Sequence, residues 1–277
     1  MRSSTRRYYD ANTRRFLSLG HGSTVKAVRR AVWAPEVTDR TEAIQYVNGR
    51  IAGLFSEMEF RKVIDLGCGV GESLMYLESE NPRPEYIGIT LSGIQKKIGR
   101  QLIKERDSRV NIFQGSYLDE GFYQEHTAGA RTLFFMIESL LHCPDTGKLF
   151  SLLQRYSQAG DCLVICDDFL KRAPCTYREE RLLKEFRRNW HAGTVAATDS
   201  LKELVSPAGF DVVTQEDWTE YLELFRPRDR LTRLFLPLIK IIPGSFPWQE
   251  NLLGGTALQS LLKSGVLGYF FVAARRR

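Results

Sequence analysis

The stretch Val63-Ile64-Asp65-Leu66-Gly67-Cys68-Gly69-Val70-Gly71 decides the fold. An apolar, strand-like run ends in three glycines at alternate positions, and a helical pattern beginning at Glu72 follows without a linker. Glycine is the residue that lets backbone approach a ligand closely where a strand gives way to a helix. The spacing has the form DxGxGxG, which is neither the GxGxxG of a dinucleotide fold nor the GK[ST] ending of a phosphate-binding loop. A bound small molecule is expected there, and it is not expected to be a dinucleotide or a nucleoside triphosphate.

Working outward, Glu85 to Ser92, Val110 to Tyr117, Arg131 to Ser139 and Asp161 to Leu170 each read as short apolar strands, separated by segments long enough for helices. That alternation predicts a parallel sheet with helices on both faces. Residues 39–55 place Ile44, Val47, Ile51, Leu54 and Phe55 on one helical face, with Asp39 and Glu42 at capping-box-like spacing. Beyond Leu170 come a charged amphipathic helix, TYREERLLKEFRRNW, a helix leading into the strand FDVVTQEDW, and a final strand, VLGYFFVAAR. The apolar segment between those last two strands is far longer than an ordinary connection and predicts a helical cap over a site. The chain thus divides into an N-terminal helical arm (1–60), a core (61–220), a cap (221–265) and a last core strand (266–277).

Composition narrows the classes. The 277 residues are 43% hydrophobic and 26% charged, which fits a folded globular protein and excludes disorder, collagen and low-complexity polymers. Five scattered cysteines contain no CxxC, so neither a disulfide framework nor a zinc site is expected, and a reducing cytoplasm is the expected location. No apolar run is long enough to span a bilayer. The net charge of +6 is concentrated in residues 1–30, where Arg2, Arg6, Arg7, Arg14, Arg15, Lys26, Arg29 and Arg30 face the single acid Asp10. Such an arm suits an anionic group or surface, or is a solvated helix face.

The string VIDLGCGVG resembles the first motif of the class I S-adenosylmethionine-dependent methyltransferases. The resemblance runs from about Arg61 to the C-terminus and implies a Rossmann-like, seven-stranded sheet with the final strand inserted antiparallel. It implies that Gly67, Cys68 and Gly69 hold the methionine part of S-adenosylmethionine, with Asp65 supporting the turn. Two departures follow. The second strand ends Gly88-Ile89-Thr90-Leu91-Ser92 with no carboxylate for the ribose, and Gln114-Gly115-Ser116-Tyr117 follows the third. GITLS with Gln95 resembles the branch of sterol, tocopherol and terpenoid methyltransferases, implying cofactor contacts from Thr90, Leu91, Gln95, Ser116, Tyr117 and Ile137. The N-terminal Tyr8-Tyr9-Asp10 resembles the lid of that branch, with Tyr8 and Tyr9 near the cofactor.

The fourth strand, which faces the transferable methyl group in this family, ends Met136-Ile137-Glu138-Ser139, with His142 four residues on. A carboxylate there must be paired or functional. Glu138 is the candidate base for a methylated carbocation, His142 a relay or rival base sharing a helix face with it, and helix capping the structural alternative. Asp167-Asp168 is too small a set for a metal site, and no metal is expected unless a diphosphate acceptor brings Mg2+. Arg14, Arg15, Arg29 and Arg30 are candidates for such a diphosphate, and Trp33 and Trp248 for an apolar acceptor. The expected reaction is C-methylation of an isoprenoid, with O- or N-methylation of a small natural product as the alternative. A nucleic acid partner or a non-catalytic role ranks below both, and self-association is left open.

Overall fold

The computed structural model describes residues 2–19, 25–26, 29–193, 195–241 and 246–277, with the side chains of 2–4, 14–16, 18–19, 56–57, 228, 237–238 and 240–241 left out of that description. Two helices, α1 (Arg2–Leu19) and α2 (Arg40–Glu57), precede the sheet. Five strands then alternate with helices: β1 (Lys62–Leu66), α3 (Glu72–Glu80), β2 (Glu85–Thr90), α4 (Gly93–Glu105), β3 (Asn111–Gln114), α5 (Glu120–His126), β4 (Thr132–Ile137), α6 (Thr146–Tyr156) and β5 (Cys162–Leu170). The chain continues through α7 (Tyr177–Asn189), α8 (Leu201–Val205), β6 (Phe210–Asp217), α9 (Pro227–Ile241), α10 (Pro247–Lys263) and β7 (Leu267–Arg276).

The seven strands lie in the order β3-β2-β1-β4-β5-β7-β6. β1 to β5 pair in parallel, and β7 enters antiparallel between β5 and β6. Alternation along each strand sends one set of side chains to each face: Val63, Phe135, Val164 and Phe271 into one core, Ile64, Phe134, Leu163 and Val272 into the other. Both faces are covered, which explains why these strands read as continuous apolar runs rather than alternating ones. Strand order reverses beside β1, where β2 lies on one side and β4 on the other, and open α/β sheets take ligands at that crevice.

Side chains set the helix starts. Asp39 accepts from the backbone N–H groups of Thr41 and Glu42, while Glu42 reaches back to the N–H of Thr38, one residue before the cap. Ser92 caps α4 by accepting from Gln95 N–H at 3.1 Å. Beyond β6, α10 buries Leu253, Leu258, Leu261 and Leu262 and packs against α7. Gly254 permits that approach, since a β-carbon there would fall 2.3 Å from Trp190 Cδ1.

Candidate active site

The glycine turn is closed by backbone. Gly67 and Cys68 N–H both donate to Ile89 O at 3.0 Å, and Ser139 Oγ donates to Leu66 O at 2.7 Å. Gly67 has φ +121°, and a β-carbon there would lie 2.5 Å from Ser139 Cβ, so no other residue fits. At Gly69, φ +56°, a β-carbon would meet nothing within 4 Å, so this side of the turn is open. Asp65 is buried, and burial holds its carboxyl well above the usual range with Arg29 working against the rise. Its carboxyl group accepts no hydrogen bond from a described residue.

At the end of β2, Thr90 Oγ1 donates to Gln95 Oε1 at 2.6 Å, and Ser92 N–H donates back to Thr90 Oγ1. The carboxylate missing from this strand arrives from α1: Ser92 Oγ donates to Asp10 Oδ1 at 2.5 Å. Leu91 is half-buried beside them. Ser116 Oγ is engaged by Leu118 N–H, and the buried Tyr117 donates its hydroxyl to Ser139 O. Both brace loops after β3 and β4. Cys68 is buried, and burial pushes its thiol up.

The end of β4 departs from the expected helix face. Glu138 has φ +50°, followed by a 3-10 turn over Leu140–His142, so Glu138 and His142 do not share a helix. Positive φ at a non-glycine residue stores backbone strain, and surrounding contacts must hold it. Those contacts converge on one oxygen: Arg30 N, Arg30 Nε and Tyr269 Oη donate to Glu138 Oε1 at 3.0, 3.2 and 3.1 Å. Oε2 accepts no hydrogen bond from a described residue.

Arg30 holds the site together. Its two terminal nitrogens form a fork with Asp168, at 2.7 Å to Oδ1 and 2.9 Å to Oδ2, and the guanidinium carbon lies 4.1 Å from the Tyr269 ring centre. Burial opposes its charge, but Asp168 and Glu138 hold it firmly protonated. Arg29 donates to Ile44 O, Ser73 Oγ and Gln45 Oε1. Both arginines, expected to meet a diphosphate, are committed to partners within the chain. Arg14 and Arg15 have side chains outside the described residues.

Asp167 accepts from Leu141 N–H and Asp168 N–H at 3.0 and 2.8 Å; burial, with Asp168 adding to it, pushes it up to about 8. The Asp167-Asp168 pair is therefore occupied by protein donors. Among the described residues no cluster of three or more ligands suits a metal ion.

α1 covers these groups. Tyr9 Oη lies 2.7 Å from His142 Nε2, within hydrogen-bonding distance, and burial holds the phenol well above its usual pKa. The imidazole is lowered from 6.5 to about 4, chiefly by burial. A neutral, weakly basic ring whose Nε2 is already filled anchors the lid better than it takes a proton from an acceptor. Tyr8 Oη donates to Asn251 Oδ1, and Asn12 Nδ2 to Pro247 O, fastening α1 to α10. The backbone N–H of Trp33 donates to Tyr221 O, while its indole Nε1 is buried without a partner among the described residues. Trp248 is half-buried in the first turn of α10, stacked at 6.2 Å on Phe246. Ile137 ends β4 immediately before Glu138.

Sequence reading missed Ser92, Asp168 and Tyr269 as parts of the site, and Asp10 as the carboxylate at β2. Tyr269 leaves a trace as the single hydroxyl in the apolar run of β7. In the sequence Asp168 stands out only as half of a carboxylate pair and Asp10 only as part of the lid string, neither with its present partner.

A Gly-rich β1 turn at the reversal of a 3-2-1-4-5-7-6 sheet defines the class I methyltransferase fold. A geranyl diphosphate C-methyltransferase from Streptomyces coelicolor A3(2), solved with Mg2+, geranyl diphosphate and S-adenosyl-L-homocysteine, superposes with a TM-score of 0.68 over 100% of this chain and 98% of that one, at 16% identity. In sequence, the chain is 28% identical over 227 residues to a chloroplastic tocopherol O-methyltransferase of Arabidopsis thaliana, covering 78% of this chain and 58% of the relative. It is 27% identical over 186 residues to the O-methyltransferase rstn1 of Aspergillus nomiae, covering 66% and 79%. The chain thus spans little more than half the length of the plant relative. No protein-family profile matches it. The chain has the fold of the class I S-adenosylmethionine-dependent methyltransferases, and its relatives in sequence include methyltransferases.

Proposed function

We propose that the chain transfers a methyl group from S-adenosylmethionine to carbon of an isoprenoid-class small molecule, with Glu138 accepting the proton released. The observation that carries this reading is the one-sided use of Glu138: three donors fix Oε1 and leave Oε2 for a proton. The ion pair with Arg30, 3.2 Å from Nε to Oε1, fixes the carboxyl group in place and keeps its other oxygen turned away from that partner. Glu138 and Asp168 around a single guanidinium leave the centre net negative, which suits a cationic transition state.

The cofactor residues fit the same reading. The open side of Gly69 and the Asp65 carboxyl group, which accepts no hydrogen bond from a described residue, suit the methionine portion and its ammonium. Thr90, Gln95 and the Asp10–Ser92 pair suit the ribose end. S-adenosylmethionine bound there supplies an electrophilic methyl group. Arg30 and Tyr269 hold Glu138 in its strained conformation, and Tyr8 and Tyr9 exclude water from above. An anionic acceptor would draw on Arg14 and Arg15 rather than Arg29 and Arg30, and Mg2+ would enter only with a diphosphate.

O-methylation is the second reading, favoured by the O-methyltransferase names of the two relatives. There Oε2 takes a hydroxyl proton. Incubation with methyl-labelled cofactor and a panel of prenyl diphosphates, sterols and phenols, followed by mass spectrometry, separates the two. Glu138→Gln keeps the shape but removes the basicity; turnover is expected to fall about 100-fold or more while S-adenosylhomocysteine still binds in calorimetry. Near-normal turnover in that variant would remove Glu138 as the base.

A further inference from the structure

The amphipathic helix α9 faces the wrong way for a core element. Leu231, Leu234 and Phe235 fall at helical spacing on one face, and that face is exposed, with Leu234 73% accessible. Of the six large apolar side chains exposed among the described residues, these three and Phe246 lie in the segment between β6 and β7. Leu231, Leu234 and Phe235 are neighbours on one helix face, and exposed apolar groups side by side ordinarily mark an interaction surface.

Charge selects the partner. α9 carries Arg228, Arg230, Arg233 and Lys240 against one acid, Asp229, which is itself paired with Arg226 at 3.1 Å. Arg230 and Arg233 are exposed beside the apolar row. A helix with leucine and phenylalanine on one side and guanidiniums flanking them matches the acyl boundary and headgroups of an anionic bilayer. It cannot cross one: at about 1.5 Å per residue, its 15 residues reach about 22 Å, short of a hydrocarbon core of about 30 Å. No described helix is long and apolar enough to do so.

We propose that α9 docks this protein on an anionic membrane surface, from which the apolar acceptor is taken. The second clause rests on the isoprenoid reading above; the docking does not. The docked helix is coupled to the lid by short links. Gln249 Nε2 donates to Ile239 O at 2.8 Å, tying α10 to α9, and the same end of α10 receives Tyr8 and Asn12 from α1. Docking therefore brings the α1–α10 edge of the site next to the lipid.

The test is co-sedimentation of the full chain with vesicles of phosphatidylcholine alone or with about 30% phosphatidylglycerol. Binding is expected to be about tenfold tighter to the anionic vesicles and to weaken in about 0.5 M salt. Leu234→Glu/Phe235→Glu is expected to lose about tenfold or more of that binding with an unchanged melting temperature, because both side chains are exposed. Should the double variant fail to fold, Leu234→Ser is expected to show a smaller loss in the same direction. Absence of vesicle binding by the wild type, or equal binding by the folded variants, overturns the proposal. So does light scattering that shows a dimer dissociated by Leu234→Glu/Phe235→Glu, which would make a second copy the occupant. Failure of docking leaves transfer to a detergent-dispersed acceptor intact, and failure of the acceptor reading leaves vesicle binding intact, so the two are told apart.

Discussion

The floor of the site and its roof are built on different principles. The floor is backbone closing on backbone: Gly67 and Cys68 share Ile89 O, and the strands beneath are paired residue by residue with apolar faces buried on both sides. The roof is held by single side-chain bonds, Tyr8 to Asn251, Tyr9 to His142, Asp10 to Ser92 and Asn12 to Pro247. A dense lattice of paired backbone resists local opening, whereas an element held by a few polar contacts opens at little cost. A site with a fixed floor and an openable roof can hold its chemistry in place while admitting an acceptor.

Arg30 ties together the ends of β4, β5 and β7 beneath the roof, and removing it should have the largest effect. Arg30→Met strands the fully buried Asp168 carboxylate and releases Glu138, and about 3 to 5 kcal/mol of stability is expected to vanish in urea denaturation. A loss below about 1 kcal/mol would mean that Arg30 is not what holds these strand ends together.

Gly67→Ala should follow, at about 2 to 4 kcal/mol, because the methyl group collides with Ser139 while the backbone sits at positive φ. Gly69→Ala sharpens the contrast. With no atom near its β-carbon it should cost only about 1 kcal/mol of stability yet weaken S-adenosylhomocysteine binding in calorimetry. Equal stability losses at the two glycines would break the distinction between the buried and open sides of the turn.

In the roof, Tyr9→Phe removes one hydrogen bond, and about 1 kcal/mol is expected, with faster hydrogen exchange confined to α1. His142 gives the smallest signal, a pH slope. Its folded pKa of about 4 lies below the unfolded 6.5, so the unfolded chain binds the extra proton between those values. Stability should therefore decline as pH falls from 6.5 towards 4, and His142→Gln should flatten that part of the curve. Asp167, raised to about 8, acts in the opposite sense, since its contribution declines as pH rises from 3.8 towards 8. Comparing wild type with His142→Gln isolates the histidine.

Sequence by itself determined the floor. A run such as Val63 to Leu66 followed by three spaced glycines specifies strand, turn and helix locally, and the apolar segments from Glu85 to Leu170 specify a sheet buried on both faces. Glu138 was legible for the same reason: a carboxylate at the end of an apolar strand contradicts its surroundings. Tertiary structure alone decided what surrounds it. Arg30 and Glu138 lie 108 residues apart, and Asp10 and Ser92 lie 82 apart, and no local pattern records such pairings. The sequence expected Arg29 and Arg30 to meet an anion from outside. The fold instead turns them onto buried partners, because a cation carried into the interior must be matched there by carboxylates or carbonyls. Periodicity is a property of neighbours along the chain, and counter-charge is a property of neighbours in space.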